Sequence, residues 1–376
     1  MRIVCISAAQ VPSDTANSIQ VIKVCQAFAQ LGHEVILLAP GPQPEGLQLA
    51  ALQKHYGLQT LFTIEWLPVR NRRRFPWVAA RRARRLDADL LYAWPVQSAV
   101  LGLLRRMPSI LEMHDFPGGS FGPLWFRLFL SLHGQKRLLP ITNSLRSGLE
   151  RKYRRLPDGE VLIAPDGVDL ERYTSLPDPA TARLELSLLS APTVLCTGHL
   201  YEGRGVGLFL SLAERFPQAS FVWVGGRPAD VEIWKSRAGA QFLSNVTFTG
   251  FVPNESIPLY QSAADVLLMP YQQSVATSSG GNTASICSPM KMFEYMAAGR
   301  AILTSELPVL HEVLDDSMAV FCQPEDKETW ESALGGLLAD EKRRKALGQC
   351  ARRAVTRYAW VERGRRSLQG FDITAI

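Results

Sequence analysis

Residues 198–205 form a glycine-spaced segment in which His199 and Arg204 stand just before an apolar, helix-like stretch. Glycine lets the backbone approach a ligand closely, N–H groups at a helix start attract anions, and a guanidinium makes paired hydrogen bonds to phosphate. The segment lacks the G-K-[ST] ending of a P-loop. The pattern favours phosphate binding by Arg204 over a plain surface loop.

A glycine- and serine-rich stretch leads into a predicted helix at 289–298. Ser288 is a suitable N-cap, and Pro289 suits the first helical position. Lys291 and Glu294 lie three residues apart and therefore share a helix face. They form a surface ion pair, or the carboxylate accepts two hydrogen bonds from a vicinal diol such as ribose.

His114 and Asp115 directly follow the apolar run at 110–113, which predicts a strand that ends in a polar pair. A histidine there can donate to a sugar hydroxyl or to charge that develops at a reacting centre, or it is a structural strand-end histidine. The loop at 12–18 leads into a helix start that suits an anion. It lacks G-x-G-x-x-G, so the dinucleotide-binding fingerprint is absent.

Two further patterns have ordinary explanations. Asp87 and Asp89 form a D-x-D, the metal-binding signature of a different transferase fold, but they stand at the amino end of the predicted strand at 90–93. We therefore expect no metal there. The apolar stretch at 121–132, broken by Arg127, is too short to span a bilayer. It forms a core helix, or an interfacial or acceptor-binding surface.

The chain has 376 residues, of which 47% are apolar and 20% charged, enough for two or three folded domains. No run of eighteen apolar residues occurs, so we expect no transmembrane helix, and the first residues predict a strand rather than a signal peptide. The six cysteines lie far apart without a C-x-x-C pair. That spacing argues against a disulfide framework and a zinc site, and it suits a reducing cytosol.

Positive charge is concentrated in the first half of the chain. Residues 1–185 hold 23 Lys and Arg against 16 Asp and Glu, whereas the remainder holds 18 against 19. Many of these arginines fall between positions 70 and 85. Such a surface attracts a phosphorylated substrate or anionic lipid, or it is a solvated helix face. Nucleic acid is disfavoured because no recognition motif accompanies the charge.

Apolar strand-like runs alternate with helical patterns in two series, separated by a proline-rich break at 174–192. The predicted strands are 3–6, 33–38, 90–93, 110–113, 161–164, 194–197, 221–224, 246–249, 266–269, 301–304 and 319–321, with helical runs at 206–215, 289–298, 327–338 and 341–357. Two such series predict an α/β protein of two doubly wound domains. Ligands of these sheets bind at the carboxyl ends of the strands, and we expect the site in a cleft between the domains.

Several motifs resemble those of the large retaining group of GT-B glycosyltransferases called family four. The segment SPMKMFEYMAAG at 288–299 is close to the S-P-x-K-x-F-E-Y-M-A-x-G signature of members that build capsular and other surface polysaccharides. The segment GHEV at 32–35 resembles the family's G-H-E-V, and PDGVD at 165–169 resembles its P-N-G-V-D. The segment YAW at 358–360 resembles the point where the family's last helix crosses back to the first domain.

The resemblance implies the GT-B architecture, with two facing Rossmann-like domains and an interdomain cleft. It implies an acceptor-binding domain at 1–185, a donor-binding domain at 186–357 and a helix at 358–376 that crosses back. It also implies a retaining hexosyltransferase that needs no metal or other cofactor. Such an enzyme is cytoplasmic, with a peripheral place at the inner face of the membrane.

The resemblance also assigns roles to individual residues. Glu294 matches the second glutamate of the family's E-x7-E, which holds the donor ribose. Arg204 matches the basic residue that grips the donor diphosphate, and His114 matches the histidine beside the transferred sugar, so these two are the expected catalytic residues. The remaining implied donor-binding residues are His199, Ser288, Pro289, Met290 and Lys291, and the implied acceptor or phosphate loop is Ala16, Asn17 and Ser18.

Two positions depart from the family pattern. Ile286 stands where the first glutamate of E-x7-E would fall. Ala16 and Asn17 replace the usual Gly-Gly of the first loop. We interpret both changes as traits of the S-P-x-K branch rather than as loss of function.

We therefore predict transfer of a sugar from a nucleoside diphosphate sugar to a hydroxyl acceptor, in the synthesis of surface polysaccharide or glycolipid. The acceptor is expected on a lipid, with salt-sensitive contact to an anionic membrane. Two alternatives stay open: a nucleotide-sugar epimerase of the same fold, and a non-catalytic nucleotide-sugar-binding partner subunit, which Ile286 favours. A Rossmann oxidoreductase is disfavoured because the glycine fingerprint is missing.

Overall fold

The computed structural model describes residues 1–69, 71–154, 157–274 and 284–371, and these form two compact units. The first unit holds Met1–Asp166 and the chain from Trp360 onward, and the second holds Gly167–Ala359. This division falls earlier than the expected boundary between 185 and 186. The reason is that the Tyr173 hydroxyl donates to Gln261, 2.8 Å away, so the intervening segment packs on the second unit.

The first unit is built on a six-stranded parallel sheet in the order β3-β2-β1-β4-β5-β6. Its strands are β1 (Arg2–Ile6), β2 (Glu34–Pro40), β3 (Thr63–Leu67), β4 (Leu90–Ala93), β5 (Ser109–Met113) and β6 (Lys136–Pro140). Its helices are α1 (Ala16–Gln30), α2 (Leu49–Tyr56), α3 (Phe75–Arg85), α4 (Val96–Leu103), α5 (Gly122–Ser131) and α6 (Asn143–Lys152). Crossover helices cover the sheet, which explains why β1 and β4 are almost continuously apolar and buried.

Strands β3 and β6, which are not among the predicted ones, form the two edges of this sheet. Edge strands tolerate charge, and Glu65, Lys136 and Arg137 interrupt the apolar pattern that would reveal them. The predicted strand at 161–164 is wrong. That segment is extended beside β6, where Ala164 N–H donates to the Pro140 carbonyl at 3.0 Å, but Val161 makes only an isolated bridge.

The second unit is built on a second six-stranded parallel sheet, in the order β12-β11-β10-β7-β8-β9. Its strands are β7 (Thr193–Thr197), β8 (Ser220–Val224), β9 (Val246–Gly250), β10 (Val266–Met269), β11 (Ala301–Ser305) and β12 (Ala319–Cys322), as predicted within one or two residues. Its helices are α7 (Pro179–Glu185), α8 (Val206–Arg215), α9 (Pro228–Ala240), α10 (Ile257–Ser262), α11 (Met290–Ala298), α12 (Lys327–Ala339) and α13 (Glu341–Ala354).

Alternate residues of the second sheet belong to different cores. Leu195 and Leu267 pack in one apolar cluster with α11, whereas Val194, Cys196 and Val266 pack in another with α8 and α12. Successive side chains of a strand point to opposite faces, so each strand feeds both cores. This double burial explains why the four inner strands β7, β8, β10 and β11 were recognisable as mainly apolar runs.

The last helix, α14 (Trp360–Leu368), belongs to the first unit and packs against α1. A Cβ added at Gly364 would lie 3.3 Å from Leu31 and 3.4 Å from Phe28, so a glycine here lets the two helices approach closely. Short 3₁₀ helices lie at Arg72–Arg74, Asp158–Glu160, Leu170–Tyr173, Asn254–Ser256, Leu310–Glu312 and Val355–Tyr358. Across the described residues, no helix combines the length and the apolar character needed to cross a bilayer.

Candidate functional site

A buried ion pair between Glu112 and Arg363 is the centre of the polar network in the first unit. Glu112 lies on β5 and Arg363 on α14, and Arg363 Nη2 lies 2.8 Å from Glu112 Oε1. The Tyr92 hydroxyl and the Gln20 amide also donate to the carboxylate, and Arg363 donates to the backbone carbonyls at 164–165. Buried charges are tolerated because each finds partners of this kind.

His114 is held by this network. Its Nε2 lies 2.7 Å from Glu112 Oε1. Burial alone would raise the pKa of Glu112, but Arg363 and His114 outweigh it and lower the pKa to about 2. Glu112 is therefore ionised at neutral pH and accepts the proton on Nε2. Burial lowers the pKa of His114, yet the hydrogen bond and the charge of Glu112 outweigh it, so the net pKa is raised.

A cavity of about 320 Å³ lies beside His114, at the carboxyl ends of β4 and β5. Small-molecule sites span roughly 300–1,000 Å³, so this one suits a small polar ligand such as a sugar ring. The Trp94 indole, held by a 3.1 Å hydrogen bond to Gln20, adds an aromatic face to the wall. The lining includes Asn17, Trp94, Gln97, His114, Asp115, Phe116, Gly118 and Gly122.

Of the three residues predicted for the first loop, which form the first turn of α1 in the structure, one lines this cavity. Asn17 is exposed and lines it, and Ala16 is exposed at the helix start. Ser18 is buried, and its hydroxyl lies 2.6 Å from the Tyr56 hydroxyl, which also accepts from Ser13 N–H at 2.8 Å. Ser18 therefore holds the loop in place, and the expectation that it faces a ligand is wrong.

Glu112, His114 and Asp166 are the one group in the described ranges whose ligand atoms would suit a metal ion, lying within 4.8 Å of one another. Arg363 already occupies the Glu112 carboxylate, and its charge opposes a second cation at this place. We interpret the group as a hydrogen-bonded network. In the D-x-D, Asp89 accepts from Arg2 N–H at 2.6 Å at the amino end of β4, which is a structural contact.

Replacing Asp166 by asparagine should make the protein more stable at neutral pH. Burial raises the pKa of Asp166 from its ordinary 3.8 to about 6, against the opposing charges of His114 and Arg363. The folded state thus holds this proton more tightly than the unfolded chain, so stability falls as the pH rises from about 4 through 6. We expect Asp166→Asn to remove this fall, a gain of about 3 kcal/mol at pH 7.

The pH profile of the midpoint of thermal unfolding tests this expectation. The Asp166→Asn profile should be flatter than that of the wild type between pH 4 and 7. Asp316→Asn removes an exposed carboxyl and should leave the profile unchanged. Parallel profiles for wild type and Asp166→Asn would show that the buried carboxyl has no raised pKa.

In the second unit, two cations converge on the ring of Tyr271. The Arg204 guanidinium carbon lies 5.1 Å from the ring centroid, and Lys291 Nζ lies 5.2 Å from it. Lys291 is in the first turn of α11, and its Nζ is 3.8 Å from Cys196 Sγ near the end of β7. The two residues that sequence motifs placed separately therefore meet at the carboxyl end of β7.

Two buried polar atoms of this cluster, Nε of Arg204 and the hydroxyl of Tyr271, have no hydrogen-bond partner within the described parts of the chain. An unsatisfied buried donor costs about 1–3 kcal/mol, a cost that a bound ligand with acceptor oxygens would remove. Sequence reasoning missed Tyr271, since a single tyrosine after a strand carries no distinguishing pattern.

Glycine is required where the loop between β7 and α8 meets the start of the helix. Gly205 has φ of +79°, and a Cβ there would lie 1.9 Å from the Pro270 carbonyl oxygen. At Gly198, with φ of +124°, a Cβ would lie 3.4 Å from Lys291 Nζ. The sequence predicted that glycines here let the backbone approach a ligand. In the structure, they let this loop pack against Pro270 and Lys291. His199 stacks on Tyr201 in the same loop, with ring centroids 4.8 Å apart.

Glu294 lies within the same short helix as Lys291, and its carboxylate accepts from Gln261 Nε2 at 3.2 Å. Helix α11 begins at Met290 with Pro289 in the N-cap position and no side-chain cap, so the expectation that Ser288 caps it is wrong. Ser288 is buried. Ile286 is also buried, where an apolar side chain packs and a carboxylate would need partners. The glycines at 280–281 lie outside the described residues.

Sequence reasoning also missed Glu112, Arg363 and Asp166. A signal for Glu112 was present, because a lone carboxylate inside the otherwise apolar run at 109–113 must find a buried partner. Its partner, Arg363, lies far away in sequence and looks like any arginine of a polar helix. Only the packing of α14 on the first unit brings the two together.

Family models match both halves of the chain. Residues 18–172 match the model described as Glycosyltransferase Family 4, and residues 191–340 match the one described as Glycosyl transferases group 1. These two matches span strand β5 with His114, the Arg204 loop and helix α11. The finer S-P-x-K branch stays a prediction.

Two relatives come from Mycolicibacterium smegmatis. A GDP-mannose-dependent alpha-(1-6)-phosphatidylinositol monomannoside mannosyltransferase is 27% identical over 217 residues, which is 56% of either chain. The chain thus spans little more than half the length of that relative. A phosphatidyl-myo-inositol mannosyltransferase is 25% identical over 378 residues, covering 96% of this chain and 90% of the relative.

A solved structure shows the same fold over almost the whole chain. The Anabaena protein HepE, in complex with UDP-glucose, matches with a TM-score of 0.74 at 15% identity and covers 98% of each chain. At this identity the likeness concerns the fold alone. Together with the two parallel sheets described above, it confirms the predicted GT-B class with two Rossmann-like domains.

Proposed function

Because the chain belongs to the group 1 glycosyltransferases, we propose that it transfers a sugar from a nucleoside diphosphate sugar to a hydroxyl acceptor. The observation that carries the proposal is the convergence of Arg204 and Lys291 on Tyr271, where the buried Arg204 Nε and Tyr271 hydroxyl have no hydrogen-bond partner among the described residues. Two cations with free donor capacity suit a diphosphate. Glu294, on the same short helix, suits the hydroxyls of the attached ribose.

Breaking the bond between the sugar and the diphosphate places negative charge on the leaving group. Arg204 and Lys291, with the N–H groups at the start of α8, would stabilise that charge in fixed positions. The leaving phosphate would accept the proton of the acceptor hydroxyl while the acceptor attacks from the same face. The anomeric configuration is then retained, and neither a protein base nor a metal ion is needed.

The first unit would contribute His114 and the cavity beside it. Glu112 accepts the Nε2 proton and favours the imidazolium form of His114, in which Nδ1 also carries a proton and would donate to a hydroxyl of the transferred sugar. Asn17 lines the same cavity and would contact the acceptor or phosphate. Arg363 acts through Glu112, by holding it ionised and in place.

Relatives support a hexose donor. The two relatives from Mycolicibacterium smegmatis are named as mannosyltransferases, and the structure of HepE was solved with UDP-glucose. We propose a hexosyl transfer in the synthesis of a surface polysaccharide or glycolipid.

A thermal-shift screen across nucleoside diphosphate sugars tests the proposal, because a ligand that binds the folded state raises the unfolding midpoint. Proton NMR of a reaction with the best donor then follows acceptor-dependent release of nucleoside diphosphate and the configuration of the product. Donor conversion without acceptor would indicate an epimerase. Binding without any turnover would indicate the non-catalytic partner, the alternative that the buried Ile286 favours.

Replacing Glu294 by glutamine should weaken nucleoside diphosphate binding by about 10–100-fold, the scale for hydrogen bonds to a charged acceptor. Calorimetric titration measures the Kd for the nucleotide and for its 2′,3′-dideoxy analogue. The wild type should discriminate strongly between the two and Glu294→Gln much less, because the amide keeps one neutral acceptor oxygen and loses the charge-assisted hydrogen bonds. Glu328→Gln alters an exposed carboxylate and serves as the control. Equal discrimination by Glu294→Gln and wild type would refute the ribose assignment.

A further inference from the structure

An exposed apolar surface lies on α3 and α5 of the first unit. Trp77 and Val78 are 46% and 41% exposed, and Phe121 and Leu124 are 70% and 61% exposed. The ring of Trp77 meets that of Trp125 edge to face, with centroids 5.7 Å apart, so the side chains of the two helices join in one surface. We call these five residues the aromatic patch.

The aromatic patch is not needed to cover the core. Helix α3 buries Phe75, Ala79 and Ala83 against the unit, which leaves Trp77 on its outer side. Helix α5 likewise buries other aromatic residues and exposes Leu124. Grouped exposed apolar side chains of this size are unusual on a soluble surface and mark a contact with a partner.

Positive charge surrounds the aromatic patch. Arg82 is paired with Glu65, but the other arginines on and before α3 are exposed: Arg72, Arg73, Arg74, Arg81, Arg84 and Arg85. Arg81 and Arg84 follow Trp77 by four and seven residues, so these arginines and the tryptophan share the exposed side of α3 and would meet the headgroup region of a bilayer together. Tryptophan favours that region, and anionic lipids attract the arginines.

The aromatic patch lies at the rim of the cavity beside His114. Phe121 directly precedes Gly122, which lines that cavity together with Phe116 and Gly118. An acceptor carried by a lipid would therefore meet the cavity at the same surface that contacts the bilayer. A protein partner would not need the combination of inserted aromatic side chains and surrounding arginines.

We propose that the aromatic patch docks the first unit on an anionic lipid bilayer, with Trp77, Phe121 and Leu124 at headgroup level and the arginines against lipid phosphates. The delivery of a lipid-borne acceptor rests on the proposed function, whereas docking itself does not. The stretch at 121–132, left open by the sequence as core helix or interfacial surface, is then both. Its inner side packs in the core and its outer side meets lipid.

Cosedimentation of the full chain with vesicles tests the docking. The wild type should bind vesicles of phosphatidylglycerol and phosphatidylcholine, and bind them less at high salt or when the vesicles hold phosphatidylcholine alone. Phe121→Ser with Leu124→Ser should lower the partition coefficient by about 10–100-fold, the scale for two apolar side chains kept out of the interface. Leu184→Ser with Phe242→Ser alters a leucine and a phenylalanine that are at least as exposed elsewhere, and should change nothing.

Quenching of tryptophan fluorescence by brominated lipid gives an independent measurement, which Trp77→Phe should reduce. Failure of the wild type to bind, or equal binding by the Phe121 and Leu124 variant, would overturn the docking. The docking would also be overturned if the wild type formed dimers without binding vesicles and the Phe121 and Leu124 variant were monomeric, because the aromatic patch would then join two copies of the chain. Calorimetric titration of a nucleoside diphosphate into the same samples separates the two proposals, since intact donor binding without vesicle binding leaves the proposed function standing.

Discussion

Replacing Arg204 with alanine should lower kcat by about two to three orders of magnitude, the loss seen when one preorganised charge-stabilising group is removed. The Arg204 guanidinium lies 5.1 Å from the centroid of the Tyr271 ring, and within the described chain neither its buried Nε nor the Tyr271 hydroxyl has a hydrogen-bond partner. A diphosphate that gains charge as its bond to the sugar breaks would find its strongest donor there. Removal of the donor affects the transition state more than the bound ground state.

Release of nucleoside diphosphate at saturating donor measures this effect. Arg204→Lys keeps the charge but loses the fork of donors, so it should recover only part of the rate. Arg215→Ala, an exposed arginine of the same unit, is the matched control and should behave as wild type. An Arg204→Ala enzyme within a few-fold of the wild-type rate would remove this residue from the mechanism.

Replacing Glu112 with glutamine should cost about 3–5 kcal/mol of stability, because it leaves the buried guanidinium of Arg363 without its counter-charge. Arg363→Met should cost a similar amount for the converse reason. The double variant should be more stable than either single variant, since neither charge is left alone. Denaturant unfolding at pH 7 checks the order of the four proteins.

Activity should not recover in that double variant, because His114 still lacks the carboxylate that holds its Nε2. The pKa of His114 is raised by Glu112, so the activity of Glu112→Gln should show its histidine limb at lower pH. Glu45→Gln changes an exposed carboxylate and is the control. Recovery of activity together with stability would mean that the ion pair is structural and does not position His114.

The acid stability of the first unit follows from the same pair. Glu112 ionises at about pH 2 in the folded state against an ordinary value of 4.5, so its contribution is complete above 4.5 and is lost as the pH falls towards 2. Ionisation of the buried Asp166 carboxyl lowers the stability of the folded state as the pH rises from about 4 through 6. The combined contribution of Glu112 and Asp166 to the stability of the folded state should therefore be largest near pH 4–5, between these two transitions.

Local patterns in the sequence predicted those parts of the fold whose causes are local. The inner strands of the second sheet are almost wholly apolar because both faces are covered, and they were predictable for that reason; the edge strand β9 was predictable from its alternating valine, phenylalanine and threonine residues instead. The edge strands β3 and β6 were not, because Glu65 and Lys136 break their apolar pattern; Glu65 pairs with Arg82, and the buried Lys136 donates to backbone carbonyls of the α5 end. The boundary between the units lies earlier in the chain than predicted, because Tyr173 makes a hydrogen bond to Gln261 of the second unit. The proline-rich composition of the segment at 174–192 does not reveal this contact.

In the candidate site, too, the residues marked by local sequence patterns were predictable, and those joined only by tertiary packing were not. Arg204, Lys291 and Glu294 stand in short motifs, so their neighbours in sequence already marked them. The partners of His114 come from β5 and from α14, at the far end of the chain, and only tertiary packing joins them. A motif names the residue that touches a ligand, whereas the residues that hold it in place are distributed by the fold.

Calorimetric titration of a nucleoside diphosphate into the full chain tests the central claim most directly, because it reports the Arg204 and Lys291 site without an acceptor. We expect one binding site per chain. The affinity for the nucleoside diphosphate should fall about tenfold or more in Arg204→Ala and in Lys291→Ala, and should be unchanged in Arg215→Ala. Wild-type affinity in both of the first two variants, or no binding of any nucleoside diphosphate to the wild type, would contradict it.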